Sequence, residues 1–427
     1  MVKVRRVKVV PFFILLPCLF FTNSLYAEEN AATMYQQASS LFSDVSPFPH
    51  DEINKVIKDG WKEGNEGLKA ILAQNKEAIE EFKKATEITY CDFSFGKAIV
   101  KDFLAEIPQY AQEIKLAKLA LIEGKLYEKG SKLDMAVDNY FSVLRFTAHL
   151  GQQKDFILMS KITEIILEKL VCASLSEYAK SPKLTIPDCH QLFDTLISFQ
   201  KRKVGLENAL EEEKEFRKNS IRLIEKDVQQ KGKYNENFYQ ILYEEYDRLE
   251  DEFTGYFIVG FKENNMTVFE EKFNKFKTEL EEERKPFKLG WKLFNGLLGL
   301  PQGISSPSLN AKILFETSMP NWSPIVTKYY VSLTKLDALI VAIAIKLYEF
   351  ENNKAPDNLQ ELVPAYLEKI PEDPFDNFKP LKYVKKENGW IVYSFGPDKQ
   401  DDFADMEIDE EAHDLSKAKG DIVFQSF

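Results

Sequence analysis

The sequence predicts a mostly α-helical chain that ends in a small α+β domain. Three observations carry this expectation. From about residue 30 to residue 291, apolar residues recur at three- and four-residue spacings between Glu- and Lys-rich faces, the pattern of helices with one buried side. Residues 331–351 have a strongly apolar centre at Leu336, Leu339, Ile340, Ile343 and Leu347, which reads as one long packed helix. After residue 380 the period changes to two, around an Asn388-Gly389 pair that signals a hairpin.

The elements follow in order. Lys3, Arg5, Arg6 and Lys8 precede an apolar run over residues 9–21, then Thr22-Asn23-Ser24 and Leu25-Tyr26-Ala27 before Glu28. A basic stretch, an apolar run too short to span a bilayer comfortably and a small residue at the cut read as an export signal over 1–27. The expected location is therefore periplasmic or extracellular, with no stable membrane span after cleavage. Leu25 stands where a small residue is usual, so a retained anchor is the rival reading. Cys18 follows Pro17, a poor lipidation match, and reads as a cysteine of the signal core.

Cys91, Cys172 and Cys189 remain after cleavage, and an exported location permits disulfides. Cys172 and Cys189 flank a loop with Ser181, Pro182 and Pro187, so a bridge there is open. Burial of Cys172 as an apolar filler behind Ile165, Ile166 and Leu170 is equally open.

Residues 28–325 form the helical domain. Helices are expected near 109–128, 132–150 and 154–177, separated by Lys129-Gly130 and Gly151-Gln152. One stripe is Leu133, Val137, Tyr140 and Leu144, and another is Ile162, Ile166 and Leu170. A charged helix over 204–230 places Leu206, Leu210, Phe216 and Leu223 near a 3.5-residue spacing, but Glu213 and Ser220 occupy seam positions, against a strong coiled coil. The Glu/Lys run at 211–215, and Glu281, Glu282 and Glu283 in a helix over 265–284, read as solvated faces. From 291 to 325, Gly296, Gly299, Gly303, Pro301 and Pro307 break the period, so this stretch reads as a connector packed on the helical domain.

The C-terminal domain, 326–427, begins with the long helix, which Asn352-Asn353 and Pro356 stop. A short helix carries Leu359, Leu362 and Tyr366. Strands are expected at 381–386, 390–395 and 422–424, with Ile391, Tyr393 and Phe395 facing one way and Trp390, Val392 and Ser394 the other.

Two resemblances appear in these segments. Gly130, Ala136 and Tyr140 loosely resemble tetratricopeptide-type helix pairs, although no period of about 34 residues is sustained. Over about 333–427 the chain resembles the globular head of type II secretion major pseudopilins. Tyr348, Ala355-Pro356, Leu359 and Leu362 stand in the places of that family's first segment. Pro371-Glu372-Asp373-Pro374-Phe375-Asp376 stands for its Pro-x-Asp-Pro-Trp-Gly turn, and Pro380 and Tyr383 match the following strand. Tyr393-Ser394-Phe395-Gly396-Pro397-Asp398 matches the entry to its calcium loop, and Asp421-Ile422 looks like the exit. The chain departs from the family in having no prepilin-peptidase site before a long apolar helix. It also carries Ala355, Asn377 and Lys399 at positions where Tyr, Gly and Gly are usual. The resemblance implies a long helix on a small antiparallel sheet and a structural calcium site more firmly than it implies a place in a pilus.

The implied ligands are Asp398, Asp401, Asp402, Asp421 and the carbonyl of Phe395. Nine acidic residues fall between Asp398 and Asp414, and close-spaced hard oxygen donors are what calcium takes. Phe403 stands where an EF-hand loop needs Gly. Residues 403–414 read as a solvated acidic segment.

Composition excludes other chemistry. The chain holds 68 Asp and Glu against 56 Lys and Arg, a formal net charge of −12, which lacks the cationic footprint of a nucleic-acid binder. Residues 398–427 alone carry ten acidic and three basic groups. Gly60, Gly64, Gly67 and Lys69 lack P-loop spacing. His50, His149, His190 and His413 show no metalloprotease spacing, and no nucleophile elbow is present. The expectation is an exported, non-enzymatic scaffold or interaction protein with a calcium-stabilised C-terminal domain, possible links to type II secretion or pilus-type assemblies, and a protein partner in the cell envelope. One alternative is a cell-envelope helical repeat module that binds peptides or proteins, its C-terminal domain only structural. Another is a carboxylate-dependent hydrolase, which needs two carboxyl groups facing one cleft.

Overall fold

The computed structural model describes residues 29–95, 110–153, 157–229, 236–263, 266–285, 306–319, 322–387, 389–409 and 418–426. The expected export signal, residues 291–305 of the Gly/Pro stretch, Asn388, and the acidic residues Glu410, Glu411 and Asp414 lie outside them. Within these residues the chain is mostly helical, with a small antiparallel sheet near its C-terminus.

The first group of helices is α1 (Ala31–Leu41), α2 (His50–Asp59), α3 (Glu66–Gln74), α4 (Lys76–Glu87), α5 (Ala111–Lys129), α6 (Leu133–Gly151), α7 (Ile157–Ala179) and α8 (Ile186–Arg202). Helix α1 packs on α4, while α5, α6 and α7 pack in sequence order. Of the two expected stripes, the first buries Val137, Tyr140 and Leu144, whereas in the second Ile166 is exposed and Ile162 and Leu170 are only half-buried. At the base of α1, Asn30 accepts from the Ala32 N–H at 3.1 Å. Helix α8 starts in a reciprocal cap, with the Thr185 N–H on Asp188 at 2.7 Å and the Asp188 N–H on the Thr185 hydroxyl, which satisfies donors the first turn would otherwise orphan. Cys91, Cys172 and Cys189 are buried free thiols, so the bridge left open between Cys172 and Cys189 does not form. Cys172 is an apolar filler.

The second group is α9 (Leu206–Gln229), α10 (Glu236–Lys262), α11 (Thr267–Arg284) and α12 (Pro307–Ser318). Helices α9 and α10 are antiparallel: Arg222 meets Asp247, Arg217 meets Glu250, and Lys214 and Lys218 meet Asp251. These ion pairs run beside a buried apolar seam that includes Leu206, Leu210 and Ile221 of α9 and Leu242 and Leu249 of α10. Glu213 corrects the expectation of a wholly solvated run, since it turns inward, 3.7 Å from Arg217. The connector expectation also needs correction, because Ser306 and Pro307 begin helix α12, which packs along α10. The core of this group is aromatic: Phe253 lies 5.1–6.3 Å from Phe269, Phe273, Phe276 and Phe315, mostly in edge-to-face contacts that favour such rings.

Helix α13 (Trp322–Asn352) joins the two groups, and the boundary expected near 325 falls in its first turn. Trp322, Val326, Tyr329 and Tyr330 belong to the aromatic core, and Leu336 through Leu347 belong to the first core. The sheet lies on α13. Strands β1 (Glu372–Asp373) and β2 (Lys379–Pro380) form a short ladder. Strands β3 (Lys382–Lys386), β4 (Gly389–Ser394) and β5 (Ile422–Gln425) form an antiparallel sheet with β4 central. The alternation expected in β4 does not separate a wet face from a dry one. Trp390, Ile391, Val392, Tyr393 and Ser394 are all buried. The segment expected as a short helix is a single 3-10 turn at Leu359–Leu362. Among the described residues no helix is long and apolar enough to cross a membrane.

Candidate functional site

The acidic loop is built from its two ends. Gly396 leaves β4 at φ 69°, and Gly420 enters β5 at φ 102°. Both are places where a side chain would strain the backbone. A Cβ on Gly396 would stand 2.3 Å from the Gly420 carbonyl oxygen. Asp421 is fully buried between these ends. Its carboxylate accepts from the Ala404 N–H at 2.7 Å and the Asp402 N–H at 3.4 Å. Its backbone pairs with Met406 and Ile408. Burial pushes the Asp421 carboxyl up, opposed by those two N–H bonds and reinforced by the charges of Asp402 and Asp401. Asp401 accepts from the Tyr393 hydroxyl at 3.2 Å and the Phe403 N–H at 2.9 Å.

Asp401, Asp402 and Asp421 therefore share the centre of the loop. Asp398 does not join them in any hydrogen bond; it accepts from the Gln400 N–H at 3.2 Å in its own turn. The Phe395 N–H donates to Asp373 at 3.0 Å. The donor set has the all-oxygen chemistry a calcium ion takes, but among the described residues no three His, Cys, Asp or Glu come together as metal ligands. The loop is closed by N–H donors on Asp421. Beyond it, Phe403, Asp405, Met406, Glu407 and Asp409 are exposed.

Asp373 holds the base of this arrangement. Fully buried, it accepts from the Ser394 hydroxyl at 2.7 Å, the Phe375 N–H at 2.8 Å and the Phe395 N–H. One side chain thus pins the Pro371–Pro374 turn to the end of β4. Burial raises its carboxyl, and the three donors act against the rise.

A second site lies beside α13. A cleft of about 540 Å³ opens between α8, α13 and residues 366–378. Its walls include Phe193, Ile197, Tyr330, Leu333, Ile340 and Phe378. At the rim, Lys201 pairs with Glu368 at 2.6 Å and Lys369 with Glu372 at 3.0 Å. The Lys201 contact holds the Glu368 carboxyl below its ordinary value. On the lining lies Asp337, 7% exposed, which accepts from the Gln200 amide. Burial, opposed by Lys203 and Gln200, pushes the Asp337 carboxyl up to about 7.

Behind Asp337 is a buried ionic cluster. Lys203 donates to both oxygens of Glu168 at 2.6 and 2.7 Å, and Lys161 donates to Glu164 at 2.6 Å and to the Val204 carbonyl at 2.8 Å. Burial pulls the Lys203 ammonium down, but Glu168 and Glu164 outweigh it and hold it up.

No family model, curated protein or solved structure matches the chain. The site is therefore read from its own chemistry. Asp337 sits among Leu336, Leu339 and Ile340 in the sequence. A carboxylate in the middle of an apolar helix is costly unless something engages it, and that cost is the signal that could have found it. His149 is buried against Tyr35, with ring nitrogen and hydroxyl 2.9 Å apart, and burial pushes it down to about 4. His50 and His190 are exposed.

Proposed function

We propose that this chain is an exported, non-enzymatic interaction protein that receives an extended segment of a partner polypeptide in the cleft between α8, α13 and residues 366–378. The observation that carries this reading is the cleft, with apolar and aromatic walls, a few convergent polar groups and a charged rim, the make-up of a recognition groove. In this reading the C-terminal domain supplies one wall, and the sequence-ordered packing of α5, α6 and α7 resembles a short helical repeat. The test is binding of a random peptide library by the full chain, with Ile197→Glu as the blocked form and circular dichroism as its folding control. Peptides retained by the wild type and released by the variant are expected. Retention that ignores the variant overturns the reading.

The same proposal keeps the pseudopilin-like head with its calcium loop, and through it a link to secretion or pilus-type assemblies. The ordered motifs over 333–427 and the all-oxygen donors of the acidic loop support it. Asp398, Asp401, Asp402, Asp421 and the Phe395 carbonyl would hold the ion, whose charge would offset carboxylate repulsion in the loop. Calcium is expected to raise the melting temperature, and Asp398→Ala to lose the rise. No rise in the wild type removes the calcium role.

A carboxylate-dependent hydrolase is the second reading. Asp337 and Glu368 line one cleft with carboxyls displaced in opposite directions, the arrangement that separates an acid from a base. Turnover of glycan substrates abolished in both Asp337→Asn and Glu368→Gln would favour it, and absence of turnover in the wild type would exclude it.

A further inference from the structure

Asp337 has no ion-pair partner among the described residues. The charged groups that face it are each engaged elsewhere: Lys203 with Glu168 of α7, Lys369 with Glu372 and Lys201 with Glu368. One carboxylate oxygen accepts from Gln200 of α8, and the side chain lines the cleft. A buried carboxyl left in this way is costly. An apolar ligand would deepen that cost, and an anion would face repulsion. A cation on an apolar stem would relieve it, with Tyr330, Tyr366 and Phe378 offering aromatic faces to stem and head.

We infer that the cleft is a recognition pocket for a basic side chain, the ammonium of Lys or guanidinium of Arg in an extended peptide, with its stem on the apolar walls and its head on Asp337. This rests on the peptide-binding reading of the cleft. Binding requires the ionised carboxylate, so affinity should fall about tenfold for each pH unit below 7, the groups facing Asp337 being Lys203, Glu168, Lys201, Lys369 and Gln200.

Titration calorimetry on the full chain tests it with three probes: acetyl-Ala-Leu-Lys-Leu-Ala-amide, the same peptide with norleucine for lysine, and agmatine. The lysine peptide is expected to bind at least tenfold more tightly than the norleucine one. In Asp337→Asn that difference should vanish, with a cooperative melt showing the variant folded. Equal binding of the two peptides to the wild type overturns the basic-side-chain pocket and leaves the peptide cleft standing. Agmatine binding that needs Asp337, with neither peptide bound, keeps the cation pocket and overturns the peptide cleft. No binding of any probe overturns both.

Discussion

At the scale of single residues, the two ends of the acidic loop are defined by backbone geometry more than by charge. Gly420 has φ 102°, and a Cβ there would lie 2.7 Å from the Glu407 carbonyl group. Gly420→Ala should therefore lose about 2 kcal/mol, combining the left-handed backbone cost with the displaced strand. Phe403→Ala, 72% exposed at the loop tip, should stay within about 0.5 kcal/mol of wild type. Urea titration of both variants measures the contrast, and equal midpoints would show that the loop base is not under this constraint. Asp337 carries a different cost. Its carboxyl is raised from an ordinary value near 4 to about 7 in the fold, so the native state holds a proton that the unfolded state releases. Stability contributed by the protonated form is present below about pH 4 and lost as pH rises to about 7, at up to roughly 1.4 kcal/mol per unit. Asp337→Asn should flatten that slope relative to wild type. Parallel urea series at pH 5 and pH 8 decide it, and an unchanged slope would place the carboxyl in water.

At the scale of elements, the pair α9 and α10 shows what ion pairs beside an apolar seam do. Arg217 makes two bonds to Glu250, at 2.9 and 2.7 Å, and Glu250 is fully buried. Removing one partner leaves an uncompensated charge in an aromatic core, so Arg217→Met should cost about 3–5 kcal/mol. Arg217→Met combined with Glu250→Leu should recover most of that loss, because the buried charge is gone from both sides. Chemical denaturation of the single and double variants tests this, and a double variant no better than the single one would show that the ions define the helix pairing. Periodicity placed α5, α6, α7 and α11 within a few residues of their ends, although α5 and α6 are buried on every side through their middles. It misread Glu213, because a seam position can hold a carboxylate when Arg217, one turn on in the same helix, engages it. It also hid α12, where Ser306 and Pro307 look like a break. A serine cap followed by proline in the first turn is equally a start signal, and only the packing of α12 on α10 decides between the two.

At the scale of the whole molecule, the C-terminal order of long helix, turn, hairpin and last strand was legible because each part is local in sequence. The cleft was not, because it is built from α8, α13 and the 366–378 segment. The bond from Gln200 to Asp337 spans 137 residues, and nothing in either neighbourhood points to the other. The division into a helical domain and a following head was also a local reading. In the fold α13 contributes Trp322 and Tyr330 to the aromatic core and Leu336 to Leu347 to the larger one, so neither core is complete without it. A shared helix couples the two cores, because melting either end of α13 uncovers side chains of both. Trp322 reports on the aromatic core and Trp390 on the larger core, each 3–4% exposed. In two variants that keep only one of these tryptophans, the others replaced by Phe, fluorescence should give the same urea midpoint and slope, as a single cooperative unit requires. Separate midpoints would mean that α13 can break between its two halves, and that the cleft bordered by Tyr330, Leu333 and Asp337 can open without unfolding the rest.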